Sequence, residues 1–248
     1  MKNTVDMLLK CTKKFSADMD KQALKLKAPE FFIYNPLSYA WDMHKKYIEN
    51  FARKKVKILF LGMNPGPFGM VQDGIPFGEV GLVKNFLHIE EAIQKPQKEH
   101  ASRPILGLDS PRSEISGLRF WSLMQDHYHS KEALEGQLYV ANYCPLAFLS
   151  REKRARNITP DKLNKAFREE LEARCDQYLL DTITLLSPQY LVGIGGYATK
   201  KLKKVTNKQR VIHTVLHPSP ASPLANKGWA DRATEQLCDA GIWDNKGN

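Results

Sequence analysis

Residues 56–70 read VKILFLGMNPGPFGM. Residues 56–61 are mostly large apolar residues, as is typical of a strand buried in a parallel sheet. The rest is a loop stiffened by Pro65 and Pro67, and its polar side chain is Asn64. In open α/β sheets, ligands bind at the carboxyl ends of the strands. The stretch therefore predicts an α/β fold with a functional site at Asn64.

Two other apolar runs end on a polar side chain in the same manner. Residues 138–142, LYVAN, end on Asn142, and the run at 211–216 leads into His217. With residues 190–194, these runs predict four strands separated by helices, which favours a largely parallel sheet. We expect the first, second and last of the four to be interior strands. The fold class predicted is α/β, with a central, largely parallel four-stranded sheet flanked by helices.

The remaining chain is predicted to be helical or loop. Residues 1–248 are expected to form a single domain, with 1–50 as a helical extension held on the core by an aromatic patch at 31–36. Helices are predicted over 114–128, from an N-cap at Thr159 to Ser187, and over 226–240. Residues 65–111 are rich in glycine and proline, and we expect much of this segment to be loop over the site.

Composition restricts the partner and the compartment. Lys and Arg number 37 against 27 Asp and Glu, a net charge of +10, which favours a polyanion such as nucleic acid. The excess is clumped at residues 151–156 and 200–204. No apolar run is long enough for a membrane helix and no signal peptide is evident, so we expect a soluble intracellular protein with no membrane partner.

Neither the cysteines nor the histidines have the spacing of a metal site. Cys11, Cys144, Cys175 and Cys238 are far apart in sequence, so zinc and iron–sulfur motifs are absent and we expect buried, reduced thiols. His213 and His217 would share a strand face, but the sequence places no third ligand beside them. We therefore expect no metal and no cofactor.

Several motifs in order along the chain resemble the uracil-DNA glycosylase superfamily. The loop GMNPGPFGM at 62–70 has the wording of its single-strand-selective monofunctional branch. The similarity extends over about residues 30–243, and its other motifs are PFGEV at 76–80, RPILGL at 103–108, SEISGLRFW at 113–121, NYCPL at 142–146 and HPSPASPLANKGW at 217–229.

The resemblance implies hydrolysis of the N-glycosidic bond of uracil in DNA, with no strand cleavage. It assigns catalytic roles to Asn64, which would orient water, and to His217, which would donate a hydrogen bond to the uracil anion. A pocket of Met63, Gly66, Phe77 and Asn142 would bind the base: Asn142 would pair with uracil, Phe77 would stack on it, and the other two would leave room for oxidised uracils such as 5-hydroxymethyluracil.

The segment after His217 resembles the family's wedge, which fills the place of the extruded base. The residues expected to contact DNA there are Ser219, Pro220, Ala221, Asn226, Lys227 and Gly228. Ala221 departs from the arginine usual in animal members, which puts the grip on duplex DNA in doubt. Asp73 is a second departure. We expect a solvated loop acid there, whereas an Asp73 facing the pocket would favour deaminated purines.

The sequence thus predicts a monofunctional DNA glycosylase of base excision repair, monomeric, acting on single- and double-stranded DNA in a nucleus or a bacterial nucleoid. Two alternatives stay open: a glycosylase for xanthine or hypoxanthine, and a non-catalytic reader of single-stranded or damaged DNA. The reader is disfavoured because it needs neither Asn64 nor His217. A nucleotide-binding α/β enzyme is disfavoured because no glycine-rich phosphate loop follows the first strand.

Overall fold

The computed structural model describes residues 2–26 and 31–244 of the chain. The strands of this part are β1 (Phe31–Tyr34), β2 (Ile58–Gly62), β3 (Leu138–Asn142), β4 (Ala147–Ser150), β5 (Asn157–Ile158), β6 (Tyr190–Ile194) and β7 (Ile212–Val215). A parallel sheet has the strand order β3-β2-β6-β7, and an antiparallel sheet has the order β1-β4-β5. The predicted four-stranded parallel sheet is confirmed.

The helices surround these sheets. They are α1 (Lys2–Lys25), α2 (Pro36–Tyr39), α3 (Trp41–Phe51), α4 (Met70–Asp73), α5 (Val80–Asn85), α6 (Ile115–Tyr128), α7 (Lys131–Leu134), α8 (Lys165–Leu186), α9 (Gly196–Val205) and α10 (Trp229–Asp239), with 3₁₀ turns at Gly107–Asp109, Pro160–Lys162 and Ala225–Lys227. A single hydrophobic cluster runs from Leu8 to Trp243 and includes strands of both sheets.

The order of the parallel strands differs from the prediction in one respect. β2 is interior as expected, but the second interior strand is β6, while β3 and β7 are the edges. β3 has the apolar sequence of an interior strand because α3 packs against it and shields it from water. Tyr47 Oη accepts a hydrogen bond from Val140 N at 2.8 Å and donates to Val140 O at 3.0 Å. A side chain thus satisfies backbone groups of a buried edge strand, which would otherwise need another strand.

The N-terminal extension is only partly helical. In α1, Phe15 stacks on Tyr178 of α8 with ring centroids 4.1 Å apart, so the extension packs on the core. The aromatic patch at 31–36, however, is not helical: Phe31–Tyr34 is β1 and pairs with Ala147–Ser150. The helical expectation for residues 1 and 27–30 lies outside the described residues. All four residues of β1 are apolar or aromatic, so the sequence lacks the alternation of polar and apolar residues that would indicate a strand.

The longest central helix starts later than predicted. Thr159 and Pro160 open a 3₁₀ turn, and α8 begins at Lys165 with Asn164 as its N-cap. The Asn164 Oδ1 accepts from Ala166 N at 2.9 Å, and Leu163 has an extended backbone that interrupts the helix. Both Thr159 and Asn164 are good N-cap residues, and the sequence pattern does not decide between them. The predicted end at Ser187 is correct, since that residue is the left-handed C-cap.

Residues 65–111 are mostly loop, as expected, with the short helices α4 and α5 within them. The expectation for the cysteines is corrected in part. Among the four cysteines, Cys144 and Cys175 are buried as expected, while Cys11 and Cys238 are half-buried, and all are free thiols. Burial and the neighbouring Asp181 carboxylate raise the pKa of Cys11 to about 11, so this thiol stays protonated at neutral pH.

Candidate active site

Asn64, Asn142 and His217 converge at the carboxyl edge of the parallel sheet. β2 and β3 are paired so that Gly62 lies opposite Asn142, and Asn64 follows Gly62 by two residues. His217 follows β7, the opposite edge strand, by two residues. Parallel pairing of all four strands brings these three ends to the same side.

These side chains line a cleft of about 380 Å³, a size that suits a small planar ligand. The residues predicted from sequence that line it are Met63, Asn64, Gly66, Phe77, Asn142, His217, Ser219 and Pro220. The other wedge residues do not line it: Ala221, Asn226, Lys227 and Gly228 lie further along the segment. The lining residues that the sequence did not predict are Pro67, Gly69, Met70, Glu114, Ser116, Asn157 and Thr159.

The protonation of His217 follows from its backbone neighbour. Ser219 N donates a hydrogen bond to His217 Nδ1 at 3.1 Å, so Nδ1 is an acceptor and the ring proton resides on Nε2. Burial lowers the pKa of His217 below its ordinary 6.5, because the charged form is poorly solvated there. At neutral pH this residue is a neutral imidazole with Nε2–H available as a hydrogen-bond donor.

Asn142 is held at the end of β3 by a weak contact. Its Nδ2 donates to the sulfur of Met70 at 3.2 Å, and a thioether is a weak acceptor that a carbonyl oxygen displaces. A Cβ at Gly62 would overlap both Asn142 Oδ1 and the ring of Phe77. Glycine at position 62 therefore lets the amide and the aromatic ring approach each other across the strand end.

Phe77 is half-buried and has an unusual backbone. Its φ is +55°, a left-handed conformation that costs a non-glycine residue on the order of 1 kcal/mol. The ring packs against Phe120 with centroids 5.3 Å apart and lies 6.1 Å from the ring of His217. The turn thus presents a flat ring to the cleft, next to the imidazole.

Asp73 supports this turn from behind, and the expectation of a solvated loop acid is wrong. The side chain is fully buried and does not line the cleft. Asp73 Oδ1 accepts from Ile75 N at 2.8 Å, Oδ2 has no partner among the described residues, and the carboxyl group fills the space beside Gly78 where a Cβ would stand. Burial, with Glu114 and Glu79 adding repulsion, raises the pKa of Asp73 to about 7.

A raised pKa in the folded protein makes stability fall as pH rises from 3.8, the ordinary value, to about 7. We expect Asp73→Asn, which keeps the Ile75 hydrogen bond, to be more stable than the native protein by on the order of 3 kcal/mol at pH 8 and about equal at pH 4. Urea unfolding at both pH values measures the difference. An equal difference at the two pH values would contradict an ionisable, buried Asp73.

Asn64 belongs to a loop that a second asparagine holds in place. Asn157 Nδ2 donates to Pro65 O at 3.3 Å, so β5 supports the residue next to Asn64. Asn64 Nδ2 is buried without a hydrogen-bond partner among the described residues. An orphaned amide at a functional site is the kind of exception that signals a missing partner such as water or substrate.

Glu114 connects the loop to α6. Its carboxylate is the N-cap of this helix and accepts from Gly117 N, and its side chain lies against Gly66 and Gly69. Burial raises the pKa of Glu114 above its ordinary value. The SEIS motif at 113–116 carries a helix-start signal, but the approach of the loop glycines to Glu114 depends on tertiary packing.

The wedge segment is braced by α6. Arg119 donates to Pro218 O and to Asn226 Oδ1, both at 2.9 Å, and Asn226 Nδ2 donates to Pro220 O at 2.9 Å. These bonds join the two ends of the segment, with Ala221 exposed between them. Asn226 is thus occupied within the protein.

The two basic clumps predicted from sequence differ in their availability. On α9, Lys201 forms an ion pair with Glu172 and Lys204 forms one with Asp176, each at 2.6 Å. Lys201 is also buried, with its ammonium 4.8 Å from the ring centroid of Tyr143. These two lysines are neutralised by their acidic partners, so the clump offers less free charge than its sequence indicates.

The described part of the chain contains no cluster of three or more His, Cys, Asp or Glu side chains arranged to hold a metal ion. No helix within residues 2–26 and 31–244 is long and apolar enough to cross a bilayer.

Comparison with known proteins identifies the family. Residues 49–237 match the uracil DNA glycosylase superfamily. A single-strand selective monofunctional uracil-DNA glycosylase from Rattus norvegicus is 40% identical over 222 residues, 88% of this chain and 79% of the rat protein. One from Mus musculus is 37% identical over 246 residues, 94% of this chain and 88% of its own length.

The fold agrees with the sequence comparison. The crystal structure of wild-type Pedobacter heparinus SMUG2 superposes with a TM-score of 0.64 at 19% identity, covering 86% of this chain and 88% of that one. The chain therefore belongs to the uracil-DNA glycosylase superfamily.

Proposed function

We propose that this protein is a monofunctional uracil-DNA glycosylase that hydrolyses the bond between C1′ of deoxyribose and N1 of uracil. Three relatives at 37–40% identity are single-strand selective monofunctional uracil-DNA glycosylases. The observation that carries the proposal is the neutral His217, whose Nε2–H is fixed as a donor by the Ser219 backbone and lies in the same cleft as Asn64 and Asn142.

The reaction separates charge. As the C1′–N1 bond breaks, its electron pair stays on the base, giving a uracil anion and a cationic, oxocarbenium-like sugar. His217 Nε2–H donates to uracil O2, where negative charge gathers, and a donor that is strongest in the transition state lowers the barrier. Water then adds to C1′, and the proton it loses ends on the released uracil.

Asn64 orients this water. An amide has no useful basicity, so Asn64 holds water through its carbonyl oxygen rather than taking its proton. Most of the rate acceleration then comes from stabilising the leaving uracil. Met63 and Gly66, at the start of the same loop, line the cleft and leave room for a substituent on C5, so oxidised uracils such as 5-hydroxymethyluracil are substrates too.

Base selection depends on Asn142. Its amide offers one donor and one acceptor, which match uracil O4 and N3–H, whereas cytosine presents the reverse pattern at these positions. Phe77 stacks on the extruded ring, an interaction worth about 1–3 kcal/mol per base. A preference for deaminated purines would require Asp73 to face the base. Asp73 is buried behind the Phe77 turn and does not line the cleft, so this argument for the purine alternative no longer holds.

The partner is DNA, single- or double-stranded, and the protein acts on it as a monomer inside the cell. Base extrusion costs least in single strands. In duplex DNA the wedge residues Ser219 and Pro220 at the mouth of the cleft, with Ala221 beyond them, fill the vacated place. Lys227 and Gly228 contact phosphates. No lysine of the described residues lines the cleft, so the sugar is not attacked by an amine and the reaction ends at an abasic site.

We expect the protein to release free uracil from a single-stranded oligonucleotide containing one deoxyuridine, leaving a strand that breaks only after alkali. Chromatography of the released base and denaturing electrophoresis with and without alkali measure both outcomes. The same oligonucleotide with deoxycytidine at that position is the control and stays intact. A substrate unbroken after alkali would exclude a glycosylase, and breakage before alkali would exclude a monofunctional one.

A panel of competing lesions ranks the bases. With uracil, 5-hydroxymethyluracil, hypoxanthine and xanthine in otherwise identical oligonucleotides, uracil and its oxidised form are expected to be released first. Preferential release of either purine would replace the proposed base preference by the purine alternative.

A further inference from the structure

The rim of the cleft next to Pro67 and Gly69 carries two arginines on one aromatic ring. The guanidinium of Arg103 lies 4.8 Å and that of Arg112 4.3 Å from the ring centroid of Phe68. Phe68 stands between Pro67 and Gly69, which both line the cleft. Cation–π contact holds an arginine in place, so less side-chain entropy is lost when it binds an anion.

Hydrogen bonds join this rim to the basic loop at 151–156. Arg103 donates to Arg154 O at 2.7 Å. Asn157, the residue that follows the loop, lines the cleft and donates to Pro65 O. The loop connects β4 to β5, which follow β3 at one edge of the parallel sheet, whereas the wedge follows β7 at the other edge.

The cations of this rim are free of acidic partners. Within residues 2–26 and 31–244, no carboxylate lies within 4.0 Å of the cations of Arg103, Arg112, Arg151, Lys153 or Arg154. Only Arg156 of the loop is paired, with Glu152 at 2.6 Å. Arg112 and residues 151–154 are exposed. By contrast, two lysines of the α9 clump are neutralised by their ion pairs.

We propose that Arg112, Arg151, Lys153 and Arg154 form a binding track for the phosphates of single-stranded DNA that flanks the target nucleotide on one side. Arg103 is half-buried and donates to Ser102 O and Arg154 O, so it positions the loop of the track. The track rests on the function proposed above. Exposed, unpaired cations fixed beside a nucleotide-sized cleft suit a flexible polyanion, whose backbone follows the rim while its base enters the cleft. Because Ala221 of the wedge carries no charge, the cations of this rim bind the single strand instead.

Salt dependence of binding tests the track without requiring catalysis. Anisotropy of a fluorescein-labelled single-stranded oligonucleotide of thymine alone gives the dissociation constant between 0.05 and 0.3 M salt. For Arg112→Gln we expect the slope of log affinity against log salt to fall by about 0.7, or about fivefold weaker binding at 0.1 M salt, since one phosphate contact on a single strand is worth that slope. For Arg112→Gln with Lys153→Gln the fall is about 1.4.

Arg174→Gln is the matched control. It removes the same charge from the exposed face of α8, where Arg174 lies 4.0 Å from Asp18, and it is expected to keep the native slope and activity. Native slopes in both Arg112 variants, or an equal fall in the control, would overturn the track.

Strand polarity gives a second test. Substrates with uracil near the 5′ end or near the 3′ end keep only one long flank each, and Arg112→Gln is expected to raise KM on one of them only. An equal effect on both would show unspecific charge attraction and overturn the track. If the native protein binds with the expected slopes yet releases no uracil, the glycosylase proposal fails while the track stands.

Discussion

His217→Ala is expected to slow uracil release from a single-stranded oligonucleotide by about 10²–10³-fold, the usual cost of removing one donor to a developing oxyanion. The Ser219 backbone fixes the donor on Nε2, so alanine removes this hydrogen bond. Single-turnover kinetics at saturating protein isolates the chemical step. Binding of the thymine oligonucleotide should be nearly unchanged, because that assay involves no uracil anion.

The pH profile separates a neutral donor from an imidazolium. Because burial lowers the pKa of His217, the ring is neutral above pH 6.5 and stays so somewhat below it. Protonation of Nδ1 would also oppose its hydrogen bond from Ser219 N–H. We therefore expect His217 to cause no change in the native single-turnover rate between pH 6.5 and 8. A rate that rises on acidification through 6.5 would contradict the neutral donor.

The control for His217 is a histidine of β7, the strand that leads into His217. His213 lies in β7, half-buried, with its ring 6.0 Å from that of Tyr190 and outside the cleft. We expect His213→Ala to keep the single-turnover rate within about twofold, since it touches no reacting atom. A comparable loss in both variants would mean that His217 acts through the stability of β7 rather than on uracil.

The parallel sheet could be predicted because its interior strands β2 and β6 are buried along nearly their whole length and are apolar runs in the sequence. All five residues of β2 are buried, and in parallel order such strands end together. That is why Asn64, Asn142 and His217 could be grouped from sequence. The antiparallel sheet could not, because β4 and β5 are short and β1 is apolar throughout.

Other features depend on tertiary contacts that no local pattern reports. Asp73 looks like a loop acid until the turn at Phe77 folds over it and excludes water. In the sequence, Arg119 is typical of a residue on the solvent-facing side of α6, but it donates hydrogen bonds to Pro218 O and to Asn226 Oδ1 in the wedge. The cation–π contacts of Phe68 likewise join residues more than thirty positions apart in the chain. Long-range pairs of this kind are invisible to periodicity and capping rules.

Asn64 lies in a loop that neighbouring side chains support, and its own amide nitrogen makes no hydrogen bond to the described residues. Asn157 and Glu114 hold the loop on either side, while Asn64 Nδ2 is buried without a partner among the described residues. A carboxylate at this position would be a stronger base than the amide, but burial would raise its pKa. The two substitutions Asn64→Ala and Asn64→Asp therefore separate water orientation from proton abstraction.

Asn64→Ala is expected to slow uracil release by on the order of 10²-fold, because water at C1′ loses the group that orients it. Asn64→Asp should recover much of this rate at high pH and lose it on acidification, since only the ionised carboxylate accepts a hydrogen bond from water at both oxygens. The native protein, with an amide that does not titrate, should lack this dependence. Single-turnover rates of the three proteins between pH 5 and 9 make the comparison. An Asn64→Ala rate within about threefold of native would exclude Asn64 from orienting the water.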